Sequence, residues 1–428
     1  MINYKSRQIY ALISCIIILM NMYQALKEEK MKKLIKNNVN WVGKIDWELK
    51  TFHGEEYSTH SGSSYNSYLI QEEKTVLIDT VWTPFADEFV TNLESEIGLN
   101  SIDYIIANHG EPDHSGALLR LMEKIPDTPI YCTANGVKSL QGQYHKDWNF
   151  QVVKTGDTLD IGNGKSLVFV EMRMLHWPDS MATYLTGDNI LFSNDAFGQH
   201  YASDSLFNDL SDECQLYKEA IKYYANILNP FSKILKKKLV DILALELQID
   251  IIATSHGVIW RDNPMQIVDK YQAWCDNYQE NQITLFYDTM WDGTKHAAEA
   301  IAEGIRSEDP DVVIKIFNIS KTDDNDLATE IFKSKAIAVG SPTVSNSILR
   351  SLVGFLHYLK ELKFVNKKAV AFGCYGWSGE AALEIDKMLK EAGFETIAEP
   401  LKINWNLTED TKGRVYELGK LLAKIEVE

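Results

Sequence analysis

The sequence predicts an α/β protein in two parts: a sandwich of two β-sheets between helix layers, then a doubly wound parallel sheet. Two observations predict this. From residue 39 to about 280, short strand patterns are followed by helical ones. From residue 282, strand and helix alternate regularly, which is typical of a parallel sheet with helices on both faces. We therefore expect one domain at 31–280 and a second at 281–428.

Residues 1–30 differ from the rest of the chain. Lys5 and Arg7 precede an apolar run from Ile9 to Met22. This run is shorter than the about 20 apolar residues that a spanning helix needs, and no small-residue cleavage site follows it. The segment is therefore interpreted as an N-terminal extension outside the fold. A translation start at Met31, a disordered appendage, a membrane anchor and a targeting segment all remain open.

The composition excludes some classes of function. The chain has 428 residues, with 45% hydrophobic and 24% charged, which is typical of folded globular proteins. Its net charge of −17 argues against binding nucleic acid, because phosphate binding needs a basic face. The five cysteines form no C-x-x-C pair, which argues against a zinc knuckle or a four-cysteine iron site within the chain. Sparse cysteine also favours a reducing, cytoplasmic setting.

The first domain begins with a predicted hairpin and continues with strands that end in polar loops. The hairpin pairs 68–70 with 75–80, and an amphipathic helix over 84–97 leads to an apolar strand at 102–107. Next along the chain we expect strands at 128–132, 166–171, 182–187 and 190–193. A helical region at 211–247 and a strand at 249–254 follow.

A candidate metal-binding loop follows the strand at 102–107. It holds four potential ligands in six positions: His109, Glu111, Asp113 and His114. Alternate residues of an extended segment point the same way, so the first three can face one pocket, and His114 would come from the turn that starts the next helix. The alternative is a polar loop with an aspartate helix cap, because short motifs are only hypotheses.

Three other residues follow apolar strands in the same way: His176, Asp195 and His256. Each alone is more often structural. Because function tends to collect in the loops at sheet edges, their occurrence together with the 109–114 cluster favours a common metal site.

The second domain has strands at 283–287, 312–317, 336–340, 369–373 and 397–404, and a closing helix at 408–425. Three loops at the carboxyl ends of these strands predict a ligand site. Backbone amides and threonine hydroxyls at 288–294 suit a phosphate, with a plain helix cap as the alternative. The absence of G-x-G-x-x-G argues against a dinucleotide. The candidate binding residues are Thr289, Met290, Trp291, Asp292, Gly293, Thr294, Ser341, Pro342, Thr343, Asn346, Gly373, Tyr375, Gly376, Trp377, Ser378 and Gly379.

The order H-x-E-x-D-H, His, Asp, His resembles the metallo-β-lactamase-like domain. With glutamate in the third position and a flavodoxin-like domain after it, the chain resembles the flavodiiron proteins over 39–425. The stretches 192–201 and 253–257 resemble the core of anaerobic nitric oxide reductases called flavorubredoxins, and G-W-S-G at 376–379 is typical of the family. The paired C-x-x-C motifs of their rubredoxin module are absent.

The resemblance implies an αββα sandwich followed by a flavodoxin-like sheet, with FMN and two iron ions as cofactors. It implies seven iron ligands: His109, Glu111 and His176 on one iron, Asp113, His114 and His256 facing the other, and Asp195 as the bridge. Some members of the family leave the position of His114 uncoordinated. His53 and Tyr223 occupy positions that approach the open face, and the alternatives for them are a core histidine and a helix aromatic.

The implied activity is reduction of O₂ to water, of NO to N₂O, or of both, and the sequence does not decide between the two gases. The electron donor would be rubredoxin, ferredoxin or a reduced deazaflavin coenzyme. The implied assembly is a head-to-tail homodimer or a dimer of dimers. Three alternatives remain: a zinc hydrolase of the metallo-β-lactamase superfamily with a fused flavodoxin domain, an electron-carrying flavoprotein with an inactive metal domain, and an NO-binding sensor.

Overall fold

The computed structural model describes residues 32–244 and 246–427, so the predicted extension at 1–30 lies outside the described residues. The chain forms two compact units. Of the described residues, the first unit contains 32–44, 65–170 and 185–188, and the second contains the remainder. The predicted division near residue 280 rests on the sequence pattern and stays a prediction.

The strands of the described residues are short in the first half of the chain and longer in the second. In chain order they are β1 (Lys33–Lys36), β2 (Val39–Trp41), β3 (Lys44–Asp46), β4 (Thr51–Phe52), β5 (Tyr57–Ser58), β6 (Ser63–Tyr65), β7 (Tyr68–Gln71), β8 (Thr75–Ile78), β9 (Tyr104–Ile106), β10 (Ile130–Cys132), β11 (Phe150–Val152), β12 (Thr158–Gly162), β13 (Lys165–Glu171), β14 (Met181–Leu185), β15 (Ile190–Asn194), β16 (Ile251–Thr254), β17 (Glu280–Tyr287), β18 (Val313–Asn318), β19 (Ser334–Gly340), β20 (Lys368–Tyr375), β21 (Glu395–Thr396) and β22 (Leu401–Asn404).

The α-helices of the same residues are, in chain order, α1 (Ala86–Ile97), α2 (Pro112–Ser115), α3 (Leu118–Lys124), α4 (Ala134–Tyr144), α5 (Glu213–Tyr223), α6 (Ser232–Leu243), α7 (Met265–Trp274), α8 (Gly293–Glu308), α9 (Asp324–Lys333), α10 (Arg350–Leu362), α11 (Ala381–Glu391) and α12 (Glu409–Ala423). Among the helices that the structure describes, none has both the length and the apolar character needed to cross a lipid bilayer.

The first unit contains a seven-stranded sheet in the order β1-β2-β7-β8-β9-β10-β11. The pairs from β1 to β8 are antiparallel, and those from β8 to β11 are parallel. Parallel neighbours end at the same edge of a sheet. The residues that follow β8 and β9, namely 79–80 and 107–115, therefore lie side by side at that edge.

In the second unit, β14, β15 and β16 are neighbours in that order. The last two strands run parallel, with Asn194 opposite Thr254. Asp195 and Ser255-His256 come directly after these positions, so the register brings the side chains that follow the two strands to one edge.

The second unit also contains a parallel sheet in the order β18-β17-β19-β20, with β21 and β22 both pairing β20. Helices α8 and α12 pack closely: a Cβ on Gly304 would lie 2.1 Å from the Tyr416 carbonyl oxygen. The carboxyl ends of β17, β19 and β20 carry the three predicted binding loops.

Two predicted elements differ from the structure, and proline explains both. The helical region 211–247 is interrupted by a π-helical turn at Tyr224–Leu228 and a 3-10 turn at Asn229–Phe231, because Pro230 has no N–H to donate to the carbonyl oxygen four residues earlier. The strand predicted at 397–404 starts only at Leu401, since Pro400 has no N–H to donate to a strand ladder.

Candidate metal and flavin sites

The loop after β9 buries four ligand-type side chains of the first unit. His109, Glu111, Asp113 and His114 are all less than 8% exposed. Nε2 of His109 lies 3.1 Å from Oε2 of Glu111, and Nε2 of His114 lies 3.2 Å from Oδ2 of Asp113. Two ligands that are each about 2.1 Å from one ion, at about 90–110° to each other, lie about 3.0–3.4 Å apart. The loop thus presents nitrogen and oxygen donors in pairs that suit metal binding.

Buried hydrogen bonds from β8 hold this loop in place. The carboxylate of Asp79 accepts from the backbone N–H of Asn108 at 2.7 Å and from its side-chain amide at 3.1 Å. Burial raises the pKa of Asp79 to about 6, and these two donors stabilise its charged form. Thr80 donates to the His114 carbonyl oxygen from its backbone N–H and its hydroxyl. Positions of the ligand backbone are therefore set by polar contacts with the neighbouring strand.

In the second unit, Asp195 lies between two histidines. Nε2 of His176 is 3.5 Å from its Oδ2, and Nε2 of His256 is 3.6 Å from its Oδ1. These separations are long for hydrogen bonds but close to the spacing of two ligands on one ion. Because each histidine faces a different carboxylate oxygen, Asp195 has the geometry of a carboxylate that bridges two ions.

The tautomer of His256 follows from its neighbour. Nδ1 of His256 lies 2.7 Å from the carbonyl oxygen of Ser64, which can only accept, so Nδ1 carries the proton and Nε2 keeps a lone pair for a metal. Ser255 donates its hydroxyl hydrogen to Oδ1 of Asp195 at 3.1 Å. Gly257 has φ +71°, and a Cβ there would lie 2.3 Å from the Gln199 carbonyl oxygen. This turn needs glycine to aim the histidine.

The two residues predicted near the open face lie beside these histidines. The ring of His53 is 6.2 Å from the ring of His176, centroid to centroid, and His53 is exposed with φ +55°. Tyr223 is only 2% exposed, and its ring is 6.4 Å from that of His256. Both positions are compatible with the predicted roles, which stay predictions.

Sequence analysis missed His200. It is fully buried, its ring lies 4.9 Å from that of His256, and its Nδ1 lies 2.7 Å from the hydroxyl of Ser63. The sequence signal was present, because His200 lies in the stretch 192–201 that contains Asp195. A histidine in a loop, away from a strand end, has no spacing that singles it out.

The loop after β17 provides a phosphate-type site. The hydroxyl oxygens of Thr289 and Thr294 are buried and have no hydrogen-bond partner among the described residues. Asp292 precedes α8 with φ +59°, and its side chain does not cap the helix. The first N–H groups of this helix therefore remain available to an anion, which helix N-termini favour.

The second and third predicted loops, 340–346 and 372–380, lie at the same sheet edge and are joined by hydrogen bonds. Thr343 donates its N–H to the carbonyl oxygen of Cys374 at 2.8 Å, and Asn346 donates its amide to Glu380 at 3.0 Å. A Cβ on Gly373 would lie 2.3 Å from the Ser341 carbonyl oxygen. Aromatic side chains of the loops remain free for a flat ligand, since Trp291 and Trp377 are 89% and 86% exposed.

Asp288 and Trp405 support these loops and were not predicted. Asp288 accepts from the N–H of Thr289 at 2.8 Å, from the Ser351 hydroxyl at 2.5 Å and from the Ser320 hydroxyl. Trp405 donates its backbone N–H to the Tyr375 carbonyl oxygen at 2.7 Å. Neither residue carries a motif, because Ser320 and Ser351 reach Asp288, and Tyr375 reaches Trp405, only in the folded chain.

Comparison with known proteins finds two matching family models and similar proteins over most of the chain. Residues 64–257 match the family model described as ODP family beta lactamase, and residues 285–418 match the flavodoxin model. An anaerobic nitric oxide reductase flavorubredoxin from Escherichia coli O139:H28 is 54% identical over 395 residues, which cover 92% of this chain and 82% of that protein. The flavorubredoxin of Salmonella paratyphi B has the same identity and coverage.

Two solved structures are also similar. The rubredoxin oxygen:oxidoreductase of Desulfovibrio gigas superposes with a TM-score of 0.88 at 35% identity, covering 92% of this chain and 98% of that chain. The flavodiiron protein of Giardia intestinalis superposes with a TM-score of 0.87 at 32% identity, covering 92% and 96%.

Proposed function

The chain belongs to the flavodiiron protein family, and we propose that it reduces NO to N₂O, O₂ to water, or both. The predicted fold is confirmed, since a metallo-β-lactamase-like domain is followed by a flavodoxin domain. Its relatives are a nitric oxide reductase and an oxygen oxidoreductase, so oxidoreductase chemistry is supported at the level of the class. The observation that carries the proposal is Asp195, whose two carboxylate oxygens each face a histidine.

The donor set favours iron. The proposed ligands are three carboxylates and four imidazoles, with no thiolate: Glu111, Asp113, Asp195, His109, His114, His176 and His256. Hard oxygen donors combined with imidazole suit iron better than a thiolate-rich set does. Glu111 is the residue that moves the proposal from a zinc hydrolase to an iron enzyme.

The loops of the second sheet would hold FMN. The orphaned hydroxyls of Thr289 and Thr294 and the uncapped start of α8 fit a phosphate group. When bound, FMN would supply electrons one at a time, and a pair of iron ions would supply open positions for the gas. The protein orients these groups: Ser64 holds the tautomer of His256, and Ser255 holds the Asp195 carboxylate.

Between the two gases, NO is favoured as the substrate. Identity is 54% to the flavorubredoxins that are named nitric oxide reductases and 35% to the D. gigas oxygen reductase. We also propose domains at 31–280 and 281–428, an external donor such as rubredoxin, ferredoxin or a reduced deazaflavin coenzyme, and a head-to-tail homodimer or dimer of dimers. The dimer would bring the flavin of one subunit to the iron of the other.

The test measures metal, flavin and gas uptake on the same purified protein. We expect about two irons and one FMN per chain by the family's stoichiometry, and consumption of NO or O₂ when reduced donor is supplied. Asp195→Ala should lose iron and both gas activities while keeping FMN, because only the bridging carboxylate is removed. Asp188→Ala is the matched control, since Asp188 is equally buried but pairs with Lys165 at 2.7 Å. Zinc in place of iron, without gas uptake, would contradict the proposal.

A further inference from the structure

A short hairpin of the second unit lies beside His176, His200 and His256. This wall hairpin, residues 50–60, contains β4 and β5, which pair only with each other in the described structure. Two-stranded ribbons are at best marginally stable alone. Its tip at 53–56 is exposed, and His53 and Gly54 both have positive φ. Its position must therefore be set by contacts outside the ribbon.

The wall hairpin presents aromatic side chains to His200 and to the proposed metal ligand His256. The Phe52 ring lies 4.6 Å from the ring of His200 and 5.9 Å from that of His256. The Tyr57 ring lies 5.1 Å from that of His200. With His53 beside His176, the hairpin forms one wall around this half of the ligand set.

Asn325 holds the backbone of the hairpin. Its Oδ1 accepts from the N–H of Ser58 at 2.8 Å, and its Nδ2 donates to the Glu56 carbonyl oxygen at 3.0 Å. One side-chain amide thus pairs with backbone as a neighbouring strand would. Asn325 lies in the first turn of α9 and is only 5% exposed, and its hydrogen bond with Ser58 is buried while that with Glu56 is partly buried.

Charged side chains surround the same contact. The Ser58 hydroxyl donates to Oδ1 of Asp323 at 2.8 Å and accepts from Nζ of Lys222 at 2.8 Å. Lys222 also donates to Asp326 at 2.6 Å, and Nε2 of His60 lies 3.1 Å from the other oxygen of Asp326. These groups hold the side chains of Ser58 and His60, whereas Asn325 binds the backbone of Glu56 at the tip.

We propose that Asn325 is a positioning residue for the reaction. Through the backbone of residues 56–58 it sets the distance of Phe52, His53 and Tyr57 from the histidines. The helix that carries it belongs to the flavodoxin-like part of the sequence, so the part that would bind FMN also sets the wall of the gas site. The inference rests on the proposed function of the histidines.

The first test measures the hairpin directly, on the holoenzyme. Glu55 and Glu56 at the tip are substrates for a glutamate-specific protease, and cleavage there is followed by mass spectrometry. Asn325→Ala should raise the native-state cleavage rate several-fold, because both amide contacts are lost. Asn325→Asp keeps the acceptor for Ser58 and loses the donor to Glu56, so an intermediate rate is expected.

The matched control is Asn40→Ala, since Asn40 is similarly buried, at 7% exposure, but lies in the first unit. Cleavage at the unsubstituted rate in Asn325→Ala would overturn the anchoring role. Faster cleavage in Asn40→Ala as well would point to general loosening and would also count against it.

The second test measures the effect of the substitution on the proposed metal site. Asn325→Ala should lower kcat/KM for the gas by up to about 100-fold, the scale of a displacement of about 1 Å at a reacting centre. The rate of flavin reduction by donor and the FMN content should stay unchanged, and the azide-complex absorption of the iron-loaded protein should shift. Loss of flavin reduction together with gas turnover, or an unshifted azide spectrum, would overturn the positioning role. If the unsubstituted protein consumes no gas, the proposed function fails, while cleavage and azide absorption still decide the role of Asn325.

Discussion

Replacing Asp288 by alanine is expected to weaken FMN binding, although Asp288 is not one of the predicted FMN-binding residues. The side chain is 8% exposed and accepts from the Thr289 N–H and from the hydroxyls of Ser320 and Ser351. Thr289 belongs to the phosphate-type loop, and Ser351 is in the first turn of α10, just after the second loop. One carboxylate therefore joins the first binding loop to the start of the helix that follows the second loop.

The magnitude follows from these contacts. A hydrogen bond to a charged group contributes about 1.5–3 kcal/mol. The two serine hydroxyls can rotate toward other acceptors, whereas the Thr289 N–H has a fixed direction. If only that bond is lost without replacement, the FMN-bound conformation of the loop is destabilised by about 1.5–3 kcal/mol. This corresponds to an increase of about 10-fold to about 100-fold in the Kd for FMN.

The assay is titration of the apoprotein with FMN, followed by quenching of flavin fluorescence. Asp288→Asn should weaken binding less than alanine does, because one amide oxygen still accepts from Thr289. Ser351→Ala, which removes a single partner, serves as the control for loss of packing. A Kd for FMN in Asp288→Ala within two-fold of the unsubstituted protein, even with lower thermal stability, would refute the argument that Asp288 holds the phosphate-type loop in its binding conformation.

Two further predictions concern stability. Lys367 is buried and donates to the carbonyl oxygens of Phe332 and Ser334, and burial lowers its pKa to about 7. Between pH 7 and about 10, Lys367 therefore carries a proton in the unfolded chain that it has lost in the folded chain. As the pH rises through this range, Lys367 makes the free energy of unfolding increase by up to about 1.4 kcal/mol per pH unit. Denaturant titrations at several pH values should show a smaller rise in Lys367→Met, and equal slopes would contradict this. Gly257→Ala places a Cβ 2.3 Å from the Gln199 carbonyl oxygen at positive φ, so thermal unfolding should show a loss of at least about 1–3 kcal/mol, whereas an unchanged Tm would show that the turn relaxes freely.

Much of the candidate site follows from local sequence. His109, Glu111, His176 and His256 each stand in a loop after an apolar strand, and the order of these residues carries the family resemblance. The three loops of the flavodoxin-like sheet are visible for the same reason: glycine and threonine at strand ends are a local pattern. The roles of His53 and Tyr223 remain predictions, because nearness to a histidine ring does not establish a contact with substrate.

What sequence alone determined about this protein is which donors it possesses and the order in which strands deliver them. Only the tertiary structure showed which groups hold them: Ser64 sets the tautomer of His256, Asp288 joins the phosphate-type loop to helix α10, and Asn325 binds the backbone of the wall hairpin. These contacts join residues that are distant in sequence: Ser64 and His256 are 192 residues apart, Asp288 and Ser351 are 63 apart, and Ser58 and Asn325 are 267 apart. A backbone N–H or carbonyl is the same in every residue, so the side chains that bind it leave no motif.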